Sequence, residues 1–427
     1  MTTAEPGVDV SQLHHASHSG LLTEVCLEHV DAATLDAIIV PTAWPVDALR
    51  HVMRVATAVS CPVVALCSKA ATAEQAIKLA DHLGAAVLAV DVERSVGAEL
   101  PSLATDRLLR EQGFGSTSDL SLKRNLGLLL ARGSGWRRVL FLDDDIVIDD
   151  PGELPKVARL LDDHRAVGLA NTGYEDNSVV CHAFRAVNGK QDTFIGGGAM
   201  MVNVGLTSSF FPNIYNEDWF FLLGDGVPFR AARAGRMRQR PYDPFANANR
   251  AAAEELGDTL AEGLFWLLDG GDGLNVVGTG FWGDFLYRRR QFIDYVLDRT
   301  GSGAAHERVR RSLGAARGRS ADISHRLCHD FVEAWRRDLA TWRRFLHSVP
   351  VSSDPDKFVS EVGMSHLVHR SKRYRTTTRS APAGLDTVPV GQVSIGDRGS
   401  IEVEQVGVGA GDIAGRGAAE VRVHWDQ

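Results

Sequence analysis

Five cysteines in 427 residues, odd in number and never spaced as CxxC, are too few and too scattered for a disulfide framework or a thiolate zinc site. Cys26, Cys61, Cys67, Cys181 and Cys328 therefore read as reduced thiols, the state a cytoplasm maintains. No apolar run approaches the ~18–20 residues that a bilayer-spanning helix needs. The first twenty residues are polar and His-rich and hold no signal-peptide core. A strong excess of one charge is missing too: 46 Lys+Arg stand against 54 Asp+Glu, a formal net charge of -8 that does not suggest a nucleic-acid partner. There is no internal repeat. These features predict a soluble cytoplasmic protein without membrane or nucleic-acid partners, its oligomeric state left open, a homodimer included. At 44% hydrophobic and 23% charged the composition is ordinary, and the length suits one large α/β domain with a helical addition, or two domains.

What the chain does have is RRVLFLDDDIVIDD at 137–150. Val139–Leu142 is a short apolar run, the signature of a strand buried on both faces in a parallel sheet. It runs straight into Asp143, Asp144 and Asp145, at the strand end where open α/β sheets hold their ligands. Side-chain alternation points Asp143 and Asp145 the same way. Two such carboxylates repel unless a cation joins them, and a hard divalent ion takes oxygen ligands of this kind. An ion there would clamp a diphosphate, so a strand ending in Asp-x-Asp suggests transfer from a nucleotide-activated donor. The plainer readings are a solvated acidic loop or the phospho-accepting pocket of a receiver domain.

Residues 1–34 show no strong periodicity and read as a partly ordered lead-in. Strands are predicted at 35–42, 61–68 and 85–92, with helices at 46–59 and 72–83 between them, a right-handed doubly wound pattern. A Gly/Ser-rich loop follows, then a helix over 120–132 that leads into the aspartate strand. Beyond it come a helix at 151–163, a strand AVGLAN, three glycines before a strand in 193–204, and helices over 249–268, 283–300 and 304–347. Phe331, Trp335, Leu339, Trp342 and Leu346 form one apolar stripe, read as core packing. The predicted organisation is a lead-in to residue 34 and a domain over 35–300. That domain has a nucleotide-binding half (35–150) and an acceptor half (151–300). A helical extension with a basic segment covers 301–380, and a tail, either a small β appendage or disordered, covers 381–427.

In order and spacing, IIVPT, AVDV, LKRNLG, FLDDD, IGGGAM and NEDW, across roughly residues 35–223, resemble the GT-A fold of nucleotide-sugar-dependent glycosyltransferases. The pattern is similar to that of bacterial inverting members with DxD and ED motifs. The resemblance implies a Rossmann-like, doubly wound mixed α/β sheet with a helical C-terminal extension. It also implies a hexosyltransferase-like enzyme moving a sugar from a nucleoside-diphosphate sugar to a hydroxyl of a soluble acceptor, with inversion. Pro41, Thr42 and Asp91 would then face the base and ribose. Lys123 or Arg124 would pair with the aspartate motif or phosphate; Arg124 is favoured because a guanidinium makes two parallel hydrogen bonds. Asp145 would ligate Mg2+ or Mn2+ directly, with Asp143 on the ion or the ribose, and Asp144 leaves the register open by one residue. Gly196, Gly197 and Gly198 would let the backbone approach the donor sugar. Asp218 would be the general base, Glu217 its support, and Trp219 a platform for a pyranose face. Each position has an ordinary reading as well: a strand-to-turn transition, a solvated helix face, a bulge, or a helix N-terminus capped by Asn216.

Softer signals are Trp282 in a glycine-rich loop that would close over an acceptor, His325, His329 and Glu333 on one helix face, and the basic run Lys372, Arg373, Arg375 and Arg379 as a lid over the diphosphate. A sugar-phosphate nucleotidyltransferase is the main rival enzyme, but PTAWPVDAL after the first strand lacks the glycine-rich basic loop that holds a triphosphate. A retaining transferase of the same fold, or a non-catalytic binding module on a doubly wound sheet, would also fit the pattern of strands.

Overall fold

The four apolar runs at the front of the chain become neighbouring parallel strands: β2 (Ala37–Thr42), β3 (Val63–Cys67), β4 (Val87–Asp91) and β5 (Arg138–Leu142). The computed structural model describes residues 9–92, 100–224, 231–352 and 354–374. The chain divides into units 1–379 and 380–427, and all described residues belong to the first. Alternate side chains of each strand enter different cores. Ile39, Leu66 and Val90 pack on one face and Ile38, Ala65 and Ala89 on the other, as a sheet covered on both sides requires. Helices α1 (Arg50–Ala58) and α2 (Ala73–Leu83) cover the second face. Helix α3 is Ala104–Glu111, and α4 (Leu120–Gly133) covers the first face. Helix α4 lies so close to the sheet that a Cβ on Gly127 would stand 2.8 Å from Ile39 and 3.2 Å from Phe141. Only glycine fits that approach.

The sheet continues past β5. Strand β6 is Ile146–Val147, α5 is Leu154–Arg159, β7 is Ala166–Asn171, α6 is Val179–Ala186 and β8 is Ala199–Asn203. Helix α7 is Glu217–Leu223 and β9 is Ala231–Gln239; β1 is Thr23–Glu24 and β10 is Val368–Arg370. The strand order is β1-β9-β7-β8-β5-β2-β3-β4-β10, with β6 paired to β9. Strand β8 runs antiparallel to both of its neighbours, so the sheet is mixed although most of its pairs are parallel. That reversal brings the start of β8 beside the end of β5, where the Asp143 amide donates to the Gly198 carbonyl at 2.8 Å.

The helical part is α8 (Ala248–Asp269), α9 (Thr279–Arg299), α10 (Ala304–Asp322), α11 (His325–Ser348) and α12 (Pro355–Glu361). The predicted stripe on α11 is core: Phe331, Trp335, Trp342 and Leu346 are buried, with Phe331 and Trp335 edge-on to Phe220 of α7. No helix among the described residues is long and apolar enough to cross a membrane.

Residues 9–34 are woven into this body. Strand β1 pairs with β9, and His14 stacks on Phe292 of α9 at 4.1 Å. The basic run begins at the far end of the sheet. Strand β10 pairs antiparallel with β4, the backbone amide of Lys372 donates to Asp81, and Arg373 lies against Gly84 at the end of α2. Lys372 and Arg373 therefore sit at the amino end of β4, away from the strand ends that carry the aspartates, which corrects their reading as part of a lid. Arg375 and Arg379 lie outside the described residues.

Candidate functional site

The carboxyl end of β5, the start of α4, the glycines before β8 and the first turn of α7 meet at one cavity of about 240 Å³, whose lining includes Arg124, Asp143, Gly196, Gly198, Asp218 and Trp219. Arg124 is its hub. It projects from the first turns of α4 and is 2% exposed, not on a solvated face. Its Nη2 donates to both oxygens of Asp143 at 3.1 and 3.2 Å, and its Nη1 to Glu217. Burial works against a charge here, but Asp143 and Glu217 hold the guanidinium firmly protonated. A Cβ on Gly197 would run into that guanidinium, so the glycine leaves room for the arginine.

Asp218 faces the glycine loop. Its Oδ2 accepts from the Gly197 amide at 2.6 Å and its Oδ1 from the Trp219 amide at 2.9 Å. Burial raises the pKa of Glu217 and of Asp218, and Arg124 pulls both down without cancelling the rise. A carboxylate raised in this way is suited to take a proton from a hydroxyl near neutral pH. Asn216 does not cap α7 with its side chain. It adopts a left-handed conformation (φ 61°) and its amide donates to Asp258 of α8 at 3.3 Å. Trp219 lies at the cavity, packed on Phe265 at 4.5 Å between ring centres.

Asp145 accepts from the Gln239 side chain at 2.7 Å, and burial followed by the neighbouring charges of Asp143 and Asp144 raises its pKa to about 6. Crowding of carboxylates is what a bound cation would relieve. The all-oxygen donor set of Asp143 and Asp145 fits a hard ion such as Mg2+ or Mn2+. Asp144 points elsewhere: it is buried and accepts from the Thr42 hydroxyl at 2.5 Å.

Several other expected positions lie in the framework. Lys123 is buried, with Nζ donating to the Thr42 carbonyl at 2.8 Å and to the Ser68 hydroxyl at 2.6 Å, and paired with Asp119 at 3.3 Å. It braces the ends of β2 and β3 and makes no bond to the aspartate motif. Burial lowers its pKa, and Asp119 opposes that shift. Pro41 stands in β2 two residues beyond Ile39, the last residue paired with β5, so that on this side a missing N–H costs no ladder bond. Asp91 accepts from the Ala73 amide at 2.7 Å and so closes the start of α2. Trp282 is corrected outright. It belongs to the first turn of α9, is fully buried, and packs against Gly263 of α8, leaving no face for an acceptor. His325 and His329 join no group of converging metal-ligand atoms among the described residues, and Glu333 pairs with Arg336 at 2.6 Å.

Sequence reasoning missed part of the cavity. Asp176, between β7 and α6, stands at its solvent-open mouth. Partial loss of hydration there, followed by the charges of Asp218, Asp143 and Asp145, raises the pKa of this exposed carboxyl. Ala16, Ser17 and His18 form another wall. His18 is 3% exposed and contacts Asp269 and Glu262; burial opposes its charge, yet the two carboxylates raise its pKa to about 9. The run HHASH at 14–18 was the only signal in the sequence.

No protein-family model and no curated protein sequence matches the chain. Among solved structures it is similar to the mannosyltransferase PcManGT from Pyrobaculum calidifontis in complex with GDP-Man and Mn2+, with a TM-score of 0.37, 11% identity, and coverage of 79% of this chain and 90% of that one. A likeness of that size carries no argument about what this chain does.

Proposed function

We propose that this chain is a metal-dependent glycosyltransferase of the GT-A type, transferring a sugar from a nucleoside-diphosphate sugar to a hydroxyl acceptor with inversion. The observation that supports it best is convergence. Asp143 from β5, Arg124 from α4, Gly196–Gly198 before β8 and Glu217–Asp218 of α7 come from four separate segments to one cavity at the strand ends. An ordinary acidic loop needs neither the buried arginine nor the second carboxylate pair.

In this reading the acceptor oxygen attacks the anomeric carbon, Asp218 takes the hydroxyl proton, and the bond to the diphosphate breaks. Glu217 and Asp143 hold Arg124 in place, and Arg124 in turn fixes the two motifs relative to each other. Gly196 and Gly198 admit the donor sugar close to the backbone, Gly197 makes room for Arg124, and Trp219 offers an apolar face. Asp145 and Asp143 would hold Mg2+ or Mn2+, which when bound offsets the charge on the leaving diphosphate.

The test is release of nucleoside diphosphate from a panel of nucleotide sugars, with Mn2+ and with EDTA, and with and without hydroxyl acceptors. Metal-dependent release from one donor is expected, with a thermal shift by the matching nucleoside diphosphate; a ligand at 100 times its Kd stabilises by about 2.7 kcal/mol. Absence of both release and shift across the panel overturns the proposal.

A further inference from the structure

A second site of a different kind lies beside the cavity and does not depend on the activity proposed above. Asp269 ends α8, where the helix dipole adds to its negative charge, and Glu262 lies two turns earlier on the same helix. His15 Nε2 is 3.0 Å from Asp269 Oδ2, and His18 Nδ1 contacts the same oxygen. One donor atom each from His15, His18 and Asp269 falls within 4.8 Å of the others. We propose that His15, His18 and Asp269 bind a borderline divalent transition metal of the zinc class, with Glu262 as the outer partner of His18.

Four features carry this. Two imidazole nitrogens and one carboxylate oxygen are a three-ligand zinc set that leaves a fourth position for water. Imidazole ligands select zinc-class metals over Mg2+, which keeps the site chemically apart from the aspartates at β5. The other ring nitrogen of His18, Nε2, lies 3.3 Å from Glu262 Oε2. A ligating histidine commonly donates its second N–H to a carboxylate in this way, which fixes the tautomer and leaves Nδ1 free for the metal. Finally, a divalent ion balances the charges of Asp269 and Glu262 while both imidazoles stay neutral.

The surroundings suit such a site. His18 is held edge-on by Trp219 at 5.3 Å and Phe265 at 5.5 Å, so the innermost ligand is rigid. His15 is 37% exposed, which provides an approach for the ion and freedom for its ring to turn. Zinc bonds of about 2.0–2.2 Å place tetrahedral ligands about 3.4 Å apart, a spacing that requires the Asp269 carboxylate to turn away from the fixed His18 Nδ1 and the His15 ring to follow it. The ion would pin the segment carrying Ala16, Ser17 and His18 onto α8, and that segment walls the cavity. The competing occupant is a proton, which would make His18 an imidazolium between two carboxylates.

The experiment titrates Zn2+ into the full-length, chelator-stripped protein by calorimetry, in the Asp145→Ala background with excess Mg2+, so that the aspartate strand contributes nothing. One ion per chain is expected, and Co2+ in its place should give the strong visible bands of a tetrahedral site. His15→Ala, which removes a part-exposed side chain, should abolish the stoichiometric binding, as should Asp269→Asn. Glu262→Gln should keep the stoichiometry and weaken the affinity about 10–100-fold. Near-UV circular dichroism checks that each variant is folded, and His15→Ala alone decides the matter if the buried substitutions fail. No stoichiometric binding in the parent, or equal affinity in folded His15→Ala, overturns the proposal and leaves the cluster as a protonated hydrogen-bonded pair.

Discussion

Nη2 of Arg124 lies 3.1 Å from Oδ2 of Asp143, joining a helix to the end of a strand while the same guanidinium also holds Glu217. One buried cation thus serves two carboxylates that come from different elements, β5 and α7. Removing one partner of a buried ion pair leaves an uncompensated charge and typically costs about 3–5 kcal/mol. Arg124→Lys keeps the charge but loses the planar fork, so one of the two carboxylates is left unpaired. Denaturant unfolding should show a loss of about 1–3 kcal/mol, the cost of a buried group left unsatisfied, together with weaker nucleotide binding. Wild-type stability and affinity in this variant would count against the hub.

Gly197→Ala places a methyl group in the space of that guanidinium. Overpacking of this kind costs about 1–3 kcal/mol, and relief requires Arg124 to leave Asp143 or Glu217. We expect a lowered Tm and a loss of activity. The double variant Gly197→Ala, Arg124→Ala should lose less than the sum of the two single changes.

Asp145→Ala should leave the fold intact, because the side chain is half-buried at a strand end. Metal-dependent nucleotide binding should disappear in a thermal-shift panel with Mn2+. Full activity in this variant and in EDTA would rule out a role for the ion.

Asp218→Asn keeps the shape and removes the basicity. General-base catalysis contributes about 10²–10⁴-fold, so turnover should fall by at least about a hundredfold with nucleotide affinity nearly unchanged. Near-normal turnover, with a product of retained anomeric configuration, would remove Asp218 from the role of base.

His182 of α6 is buried and hydrogen-bonded to Tyr242 at 3.0 Å; burial, then Arg250 and Arg185, lower its pKa to about 4. The folded state therefore holds this ring neutral while the unfolded chain protonates it near 6.5. The stability it contributes is fully present above about 6.5 and is lost as pH falls through about 4, an upper bound of about 3 kcal/mol. Denaturant unfolding at pH 7 and pH 4 should show a smaller difference for His182→Gln than for the parent.

The sheet and the aspartate strand were legible because short apolar runs bounded by turns leave few other folds open to them. Strand β9 was not: AARAGRMRQ carries arginines and Gly235 inside the run, and its pairing with β7 is irregular between Gly168 and Ala170. Helices α3 and α6 have eight residues each, too few for periodicity to stand out. At the site, NEDW and the glycines could be located, but burial could not. Nothing local distinguishes Lys123, a brace, from Arg124, the hub, since adjacent helix positions differ only by which element packs above them. The lead-in was opaque for the same reason: His18 meets Asp269 across 251 residues of sequence.

The reversed strand β8 has a mechanical consequence. The Gly198 carbonyl and the Asp143 amide are one more rung of the β5–β8 ladder, so the glycine turn and the aspartate strand end move as a single body. The distance between them is set by strand register, not by loop length, and cannot be tuned gradually. A slip of one residue would turn every β8 side chain to the opposite face and carry Gly197 away from Arg124 in the same step. Insertions elsewhere around the cavity can reshape what it admits, whereas this pair of strands admits only replacement in register.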